Sequence, residues 1–256
     1  MTQDVQKDLF SVRGIKKTFP NGYEALQGID LDIYEGECLL VAGANGSGKT
    51  VLTRILSGLL EPTEGTVFYR GKDIRAHGKL LRQSVGLVFQ DADAQILGET
   101  VEEDIRFGPE NLKLSEEEIS RRLEQTLDNL DMKEKRHFAS RHLSGGEKRR
   151  LAVAGILAMG CETIIMDEPF ANLDWPGVSQ VLQIIFSLLH DNKTVIVLTH
   201  ELEKVLALAD RLVILSSGKI RAQGKPDVVL ENLDPAWGVR DPRKTYRSAG
   251  DCTWLT

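Results

Sequence analysis

A glycine-rich segment that ends in lysine and threonine has the spacing of a phosphate-binding loop. The segment GANGSGKT, residues 43–50, follows the strand-like run CLLVAG and precedes the helix-like run KTVLTRILSGL. Its glycines would let successive backbone N–H groups point inward, and the following helix would add its positive end. Lys49 would reach the β- and γ-phosphates, and the Thr50 hydroxyl would ligate Mg²⁺. Both flanks favour a site for a nucleoside triphosphate over a chance glycine-rich turn.

The segment TIIMDEP, residues 163–169, has the pattern of a buried strand that ends in two acids. Because strand side chains alternate, we expect Asp167 and Glu168 on opposite sides of the chain. Asp167 would then hold Mg²⁺ while Glu168 acts as the base for an attacking water. The alternative is a strand that merely stops at polar residues, and the phosphate-binding loop upstream favours the functional interpretation.

A second segment, LSGGEKRR at residues 143–150, also has the pattern of an anion site. Ser144 and Glu147 could simply form a capping box at the start of a helix. However, the two glycines after the serine would expose backbone N–H groups at the positive end of that helix. Two phosphate cradles and one nucleotide per chain indicate that the second cradle is presented to the nucleotide of another subunit.

Strand-like and helical segments that alternate along the chain predict an α/β fold around these residues. The apolar runs CLLVAG, VGLVFQ, TIIMDEP and TVIVLTH are typical of parallel strands buried on both faces. Two earlier runs, LFSVRGIKKTF and IDLDIYEGECLL, alternate in polarity as antiparallel strands with one wet face do. No strand pattern appears between Phe89 and Thr163, where a capping box at Ser115 and Glu118 opens a helix with an apolar stripe. Residues 91–157 are therefore predicted to be a helical insertion into the α/β core.

Length and composition limit the classes of protein that the chain can represent. Its 256 residues are 41% hydrophobic and 27% charged, which predicts an ordinary globular protein with a sizeable core. The net charge of −6 gives no indication of a nucleic-acid partner, although it says little about local basic patches. The three cysteines, Cys38, Cys161 and Cys252, share no metal-ligand spacing and are expected to be reduced thiols. No secretory signal is expected, and the longest apolar run, LAVAGILAMGC, is too short to cross a bilayer.

GANGSGKT, LSGGE and IIMDEP, in this order and spacing, strongly resemble the motifs of the ATP-binding cassette (ABC) ATPases, and the resemblance covers about residues 8–224. It implies a P-loop NTPase core of ABC type with an antiparallel β subdomain and an inserted α-helical subdomain, followed by a short tail at 225–256. It also implies ATP and Mg²⁺ as cofactors and a head-to-tail homodimer, or a heterodimer with a similar ATPase, with two ATP molecules between the subunits. The implied nucleotide contacts are Gly43, Ala44, Asn45, Gly46, Ser47, Gly48, Lys49, Thr50 and Val51, and the implied contacts to the partner's ATP are Ser144, Gly145, Gly146 and Glu147.

The same resemblance implies roles for four single residues outside these motifs. Gln90, after VGLVF, is similar to the Q-loop glutamine that contacts Mg²⁺ and water and links the core to the helical subdomain. Asp174, in ANLD, resembles the D-loop aspartate that crosses the dimer, and His200 resembles the histidine that contacts the γ-phosphate. Phe19 occupies the place where a tyrosine commonly stacks on adenine, and it keeps the π face. The implied catalytic residues are Glu168, His200 and Gln90, and the implied Mg²⁺ ligands are Thr50, Gln90 and Asp167.

Residues 89–108, FQDADAQILGETVEEDIRFG, contain six acids and one base, and because phosphate repels carboxylates they are predicted to serve something other than the nucleotide. The wording FQDADAQILGETVEEDIRFGPENLKLS resembles the ATPases of energy-coupling-factor (ECF) transporters, which include cobalt, nickel and biotin systems. The resemblance implies that this segment docks arginine-bearing coupling helices of an integral membrane protein through charge-assisted pairs. The alternative is a solvated helix face whose acids favour the N-terminal end of the helix dipole. The implied docking residues are Asp91, Asp93, Gln95, Glu102, Glu103 and Asp104.

The sequence therefore predicts the ATP-hydrolysing subunit of an ECF-type importer for a vitamin or transition-metal ion, such as biotin, cobalt or nickel. Such a subunit would lie at the cytoplasmic face of the cell membrane, with a substrate-binding membrane protein as an indirect partner and no nucleic acid. A soluble ABC ATPase that acts on DNA or ribosomes is the alternative, and a single set of motifs in 256 residues disfavours it. A non-catalytic ATP-binding module is disfavoured by Glu168. From about Asp234 the pattern fades, and a docking tail and a frayed end are both open.

Overall fold

The computed structural model describes residues 7–243, which contain ten strands and eight α-helices. The strands are β1 (Asp8–Thr18), β2 (Glu24–Tyr34), β3 (Cys38–Ala42), β4 (Glu64–Tyr69), β5 (Lys72–Asp73), β6 (Val85–Val88), β7 (Thr163–Asp167), β8 (Thr194–Thr199), β9 (Arg211–Ser216) and β10 (Lys219–Gly224). The helices are α1 (Lys49–Leu56), α2 (Gly78–Ser84), α3 (Val101–Asn111), α4 (Glu116–Asn129), α5 (Gly145–Ala158), α6 (Trp175–His190), α7 (Leu202–Val205) and α8 (Pro226–Glu231). The predicted tail beyond residue 243, with Cys252, lies outside the described residues.

A six-stranded sheet in the order β10-β9-β3-β8-β7-β6 forms the centre of the fold. Its strands are parallel except β10, which pairs antiparallel with β9 at the edge. Successive residues of β3 belong to different apolar clusters: Leu40 and Ala42 pack into one, and Leu39 and Val41 into the other. Burial on both faces explains why these strands are continuous apolar runs without alternation.

The second cluster lies between this sheet and a four-stranded antiparallel sheet in the order β2-β1-β4-β5. Along β1, Phe10 and Val12 are buried, whereas Arg13 is exposed, as an antiparallel sheet with one wet face requires. The α/β fold class with an antiparallel β subdomain is therefore confirmed.

The helices α3, α4 and α5 fill the chain between β6 and β7, and the described residues there form no strand beyond an isolated bridge between Thr100 and Ala139. The Ser115 hydroxyl caps α4 by accepting the Glu118 N–H. The predicted capping box is only half formed, because the Glu118 carboxylate binds two guanidinium groups further along the same helix instead of the Ser115 backbone. The apolar stripe of α4 is buried, as predicted, and consists of Ile119, Leu123 and Leu127, with Leu130 just after the helix.

Beyond β10, the chain forms α8 and then a 3₁₀ turn at Pro235–Trp237. Trp237 packs against the first apolar cluster, and Val239 is part of that cluster with 7% of its surface exposed. Residues 234–239 are therefore neither frayed nor free of the core.

The cysteines Cys38 and Cys161 are buried free thiols. Burial raises the pKa of Cys38 to about 12 and the pKa of Cys161 to about 11, so both are protonated at neutral pH. Within residues 7–243, no helix is long and apolar enough to span a membrane. The same residues hold no group of three or more His, Cys, Asp or Glu side chains arranged to bind a metal.

Candidate nucleotide site

The carboxyl ends of four neighbouring parallel strands gather the predicted catalytic segments at one edge of the six-stranded sheet. β3 runs into the glycine-rich loop at residues 43–50, β7 ends at Asp167, and β8 ends directly before His200. β6, the neighbour of β7, ends two residues before Gln90. In register, Asp167 lies beside Leu198 of β8. Parallel pairing thus brings together residues that are far apart in the sequence, at the edge where α/β sheets bind ligands.

Lys49 holds a buried ammonium group at the centre of the loop, with 5% of the residue exposed. Its Nζ donates to the Gly43 carbonyl at 2.6 Å and to the Ala44 carbonyl at 3.3 Å. The same Nζ lies 3.3 Å from Oε1 of Glu168. The carbonyl groups of the loop and the carboxylate of Glu168 therefore both contact the Lys49 ammonium group.

The loop joins α1 at Gly48, the residue before the first turn of the helix. Gly48 has a φ of 108°, and a Cβ there would lie 2.7 Å from the Ala25 carbonyl oxygen, so only glycine fits. Among the described residues, no side chain caps α1. Its first-turn N–H groups are therefore available to an anion, as in a phosphate-binding loop.

Glu168 links the cation of the loop to His200. It is buried, and its Oε2 lies 3.0 Å from His200 Nδ1 and accepts the His200 N–H at 3.4 Å. The prediction from strand alternation applies only to Asp167, because β7 ends there and Glu168 has a φ of 48° in the left-handed region. Such strain in a residue other than glycine is typical of functional sites.

The buried carboxylate of Asp167 has an oxygen, Oδ1, without a hydrogen-bond partner among residues 7–243. Burial raises the pKa of Asp167, the Glu168 charge adds to this shift, and a hydrogen bond from the Thr50 side chain opposes it. Hydroxyl and carboxylate oxygens are the hard ligands that Mg²⁺ prefers in proteins. Thr50 and Asp167 therefore fit a magnesium ion.

Phe19 stacks on a second ring that the sequence analysis missed. The ring centroids of Phe19 and Tyr23 are 6.3 Å apart, with 17° between the ring planes. Both rings lie in the hairpin turn between β1 and β2, which the hydrogen bond from the Phe19 N–H to the Tyr23 carbonyl closes. The Tyr23 hydroxyl reaches the Gly46 carbonyl of the loop at 3.5 Å. The asparagine–glycine pair at residues 21–22 is the sequence signal for this hairpin turn.

Ser144 and Glu147 form a complete capping box at the start of α5. The Ser144 hydroxyl accepts the Glu147 N–H at 3.4 Å, and the Glu147 carboxylate accepts the Ser144 N–H at 2.8 Å. Lys135 pairs with Glu147 at 2.6 Å and holds the pKa of that carboxyl below its usual range. Gly145 and Gly146 form the first turn, as expected. Their contact with a partner's nucleotide stays a prediction.

Asp174 is likewise engaged within the chain. It is the N-cap of α6, and its carboxylate accepts the Gly177 N–H at 3.0 Å. This bond fixes the loop between β7 and α6, and the role of Asp174 across a dimer stays a prediction.

Arg149 connects α5 to the segment after β6, and the sequence analysis missed it. The residue is buried, and its Nη2 donates to the Gln90 carbonyl at 2.9 Å. Its Nε and Nη1 have no hydrogen-bond partner within the described part of the chain. Burial lowers the pKa of Arg149, and the charge of Asp91 opposes this shift. In the sequence, Arg149 belongs to the run KRR, which has the pattern of a solvated helix face.

Two of the predicted docking acids are neutralised by bases that lie far away in the sequence. Arg136 binds Glu102 through Nε at 2.7 Å and Nη2 at 2.9 Å, and this pair lowers the pKa of Glu102. Lys148 of α5 pairs with Asp93.

Two further acids bind backbone N–H groups before and at the start of α3. Asp104 is buried, and its Oδ1 accepts the N–H groups of Leu97 at 2.7 Å and Gly98 at 3.0 Å. Burial raises the pKa of Asp104, and these two bonds oppose the shift. Glu103 forms a complete capping box with Thr100.

The remaining predicted docking residues, Asp91 and Gln95, and the neighbouring Glu99 differ in whether their side chains have a hydrogen-bond partner. Asp91 accepts the Asp93 N–H, and the Gln95 side chain accepts the Phe89 N–H at 3.0 Å. Within residues 7–243, the carboxylate of Glu99 forms no hydrogen bond or ion pair. Helix capping and internal ion pairs therefore engage most of the acids, and their role in docking stays a prediction.

An apolar groove of about 280 Å³ lies beside these acids, between α3 and α5. At its rim, Leu97 is 65% exposed and Phe107 is 46% exposed. Glu99, Glu103 and Glu110 line the adjoining surface together with Arg106, which pairs with Glu110, so that the apolar groove has a mainly acidic border. The groove is lined by Gln95, Leu97, Asp104, Phe107, Gly108, Asn111, Leu112, Ala152, Gly155, Ile156 and Met159.

Three features define a P-loop nucleoside triphosphatase: a glycine-rich loop after β3, a buried lysine in that loop, and two acids at the end of β7, which β8 separates from β3. Residues 26–171 match the ABC transporter family. The chain belongs to this family, and it is an ABC-type ATPase whose activity is coupled to transport.

Individual relatives agree with this assignment. The energy-coupling factor transporter ATP-binding protein EcfA of Methanocaldococcus jannaschii is 40% identical over 84% of this chain and 78% of its own length. The corresponding EcfA1 protein of Clostridium novyi is 42% identical over 82% of this chain and 75% of its own. Among solved structures, cbiO1 from Clostridium perfringens, part of the ABC transporter complex cbiONQ, is 33% identical with a TM-score of 0.82. That match covers 88% of this chain and 92% of the other.

Proposed function

We propose that this chain is the ATP-hydrolysing subunit of an ECF-type importer that takes up a vitamin or a transition-metal ion, such as biotin, cobalt or nickel. Support comes from its identity of about 40% to ECF transporter ATP-binding proteins and from its likeness to cbiO1. The observation that carries the proposal is the conjunction of a Lys49–Glu168–His200 chain, in which Lys49 and Glu168 are buried, with an exposed groove on the helical subdomain. The first would hydrolyse ATP, and the second would receive the membrane partner.

In the proposed reaction, the loop at 43–50 binds the phosphates and Lys49 transfers its contacts from loop carbonyls to the β- and γ-phosphates. Glu168 accepts a proton from the attacking water, and His200 contacts the γ-phosphate. Thr50, Asp167 and Gln90 would hold Mg²⁺, which supplies charge neutralisation at the phosphates. The Phe19 ring would stack on adenine, with Tyr23 extending the aromatic surface.

The proposed working unit is a head-to-tail homodimer, or a heterodimer with a similar ATPase. Ser144, Gly145, Gly146 and Glu147 would present the N-terminus of α5 to the ATP of the partner subunit, and Asp174 would cross the dimer. Because the chain carries both halves of the site, a homodimer would have two complete sites.

The proposed docking site for an integral membrane protein is the groove between α3 and α5 together with its acidic border. Apolar side chains of the partner would enter the groove, where Leu97 and Phe107 are exposed. Cationic side chains of the partner would pair with Glu99 and with the predicted docking acids, in competition with the internal bases for Glu102 and Asp93. The chain would then be peripheral at the cytoplasmic face of the cell membrane, and a substrate-binding membrane protein would be an indirect partner.

The test is purification of the tagged chain from its native host in mild detergent, followed by identification of the proteins that accompany it. We expect a multispanning protein and a small membrane-embedded binding protein, whose ligand then identifies the cargo among labelled biotin, cobalt and nickel. Phe107→Glu should release both, whereas Phe186→Glu, at a residue of α6 that is 62% exposed, should keep them. Recovery of ribosomes or DNA-binding proteins without a membrane protein would overturn the transport proposal.

A further inference from the structure

The turn after α8 contacts the phosphate-binding loop. We call Asp234 to Val239 the C-terminal turn. Asp234 caps it by accepting the Ala236 N–H at 2.8 Å, and the buried side chain of Val239 anchors its end in the core. Trp237 packs against the same apolar cluster, so the position of the turn is fixed by core packing.

The contact itself joins Gly238 to Ala44. Gly238 has a φ of 72°, and a Cβ built on it would lie 3.0 Å from the Ala44 Cβ, closer than ordinary van der Waals contact. The Ala44 carbonyl accepts the Ser47 N–H at 3.1 Å and the Lys49 ammonium at 3.3 Å. A displacement of Ala44 would therefore move a carbonyl oxygen that binds the Lys49 ammonium group.

We propose that the C-terminal turn positions the phosphate-binding loop for ATP through the Gly238–Ala44 contact, which makes Gly238 a positioning residue. This inference rests on the proposed role of residues 43–50 as the phosphate site. The alternative is that Gly238 only supplies the left-handed conformation that ends the turn. The two interpretations differ in what a methyl group at position 238 does to ATP binding.

The experiment compares Gly238→Ala with Gly71→Ala in the full chain. Gly71 has a φ of 73°, and a Cβ there would meet no atom of residues 7–243 within 4 Å, so both variants place alanine at a similar left-handed φ and only Gly238→Ala adds the clash. We expect Gly238→Ala to raise the KM for ATP about tenfold with kcat little changed, because overpacking displaces the loop. Gly71→Ala should leave both constants unchanged. Gly238→Asn, whose side chain tolerates the left-handed region, should keep the fold and raise KM in the same way.

A double-mutant cycle isolates the contact. Ala44→Gly removes the methyl group that the new Cβ would meet, so adding Gly238→Ala to it should leave KM at the value of Ala44→Gly alone. Equal KM values for Gly238→Ala and Gly71→Ala, or effects of Gly238→Ala and Ala44→Gly that simply add, would overturn the inference. Lys49→Ala separates this outcome from failure of the proposed site, because ATP binding to that variant as tight as in the unmodified chain would overturn the site itself.

Discussion

Substitutions of Asp104 test whether its carboxylate docks a partner protein or stabilises the fold. Its buried carboxylate oxygen accepts two backbone N–H groups, from Leu97 and Gly98, which precede α3 and border the groove. Asp104→Ala would leave both donors without a partner. Since both bonds are partly buried, we expect each to cost about 1 to 2 kcal/mol, for a total loss of about 2 to 4 kcal/mol in the free energy of unfolding.

Asp104→Asn keeps an acceptor oxygen in the same place and should change the free energy of unfolding by less than about 1 kcal/mol. The neutral amide makes weaker bonds, but it also removes a buried charge. Burial raises the pKa of Asp104, so the folded chain binds this proton more tightly than the unfolded chain does. The stability of the unmodified chain should therefore decline as the pH rises through that pKa, and the asparagine variant should gain relative to it over the same pH range.

Urea unfolding of the two variants at neutral pH, with recovery of the membrane partner as a second readout, is the assay. Equal destabilisation by alanine and asparagine would refute the two-bond account. If Asp104→Asn kept its stability and lost the membrane partner, the carboxylate would be a docking group, as the sequence implies.

Three further predictions test the site. Phe19→Ala should weaken ATP binding about tenfold in calorimetry, and Tyr23→Phe should not, because stacking requires only the ring; similar losses in both would contradict the stacking role. Ser144→Ala and Ser115→Ala should each lower the free energy of unfolding by about 1 kcal/mol through loss of a helix cap. Only Ser144→Ala should also reduce ATPase activity, and an equal reduction in both would remove the special role of Ser144. Asp167→Asn should raise the free energy of unfolding by about 1 kcal/mol, because a buried charge is removed, while Mg²⁺-dependent hydrolysis is lost; retained hydrolysis would exclude Asp167 as a metal ligand.

The arrangement of the nucleotide site could be predicted from the sequence because each part is local. Apolar runs predict parallel strands, and parallel strands end at the same edge, so the strand-end positions of Asp167 and His200 follow from the pattern. Strand alternation failed for Glu168, because the strand stops one residue earlier and the backbone turns into the left-handed region.

The charges around the helical subdomain could not be predicted because their partners are distant in the chain. Glu102 and its partner Arg136 are 34 residues apart, and Asp93 and its partner Lys148 are 55 residues apart. Arg149 donates to a carbonyl 59 residues earlier. A local count of charges therefore predicts a free acidic surface, whereas folding pairs most of these acids internally.

The most direct test of the account is ATP hydrolysis by Glu168→Gln, measured together with ATP binding. Glu168 lies between Lys49 and His200, and glutamine keeps its shape without the basic oxygen. We predict that kcat falls about 10²- to 10⁴-fold, the usual contribution of a general base, while ATP still binds. Hydrolysis within a few-fold of the unmodified rate would contradict the account, because another group would then activate the water.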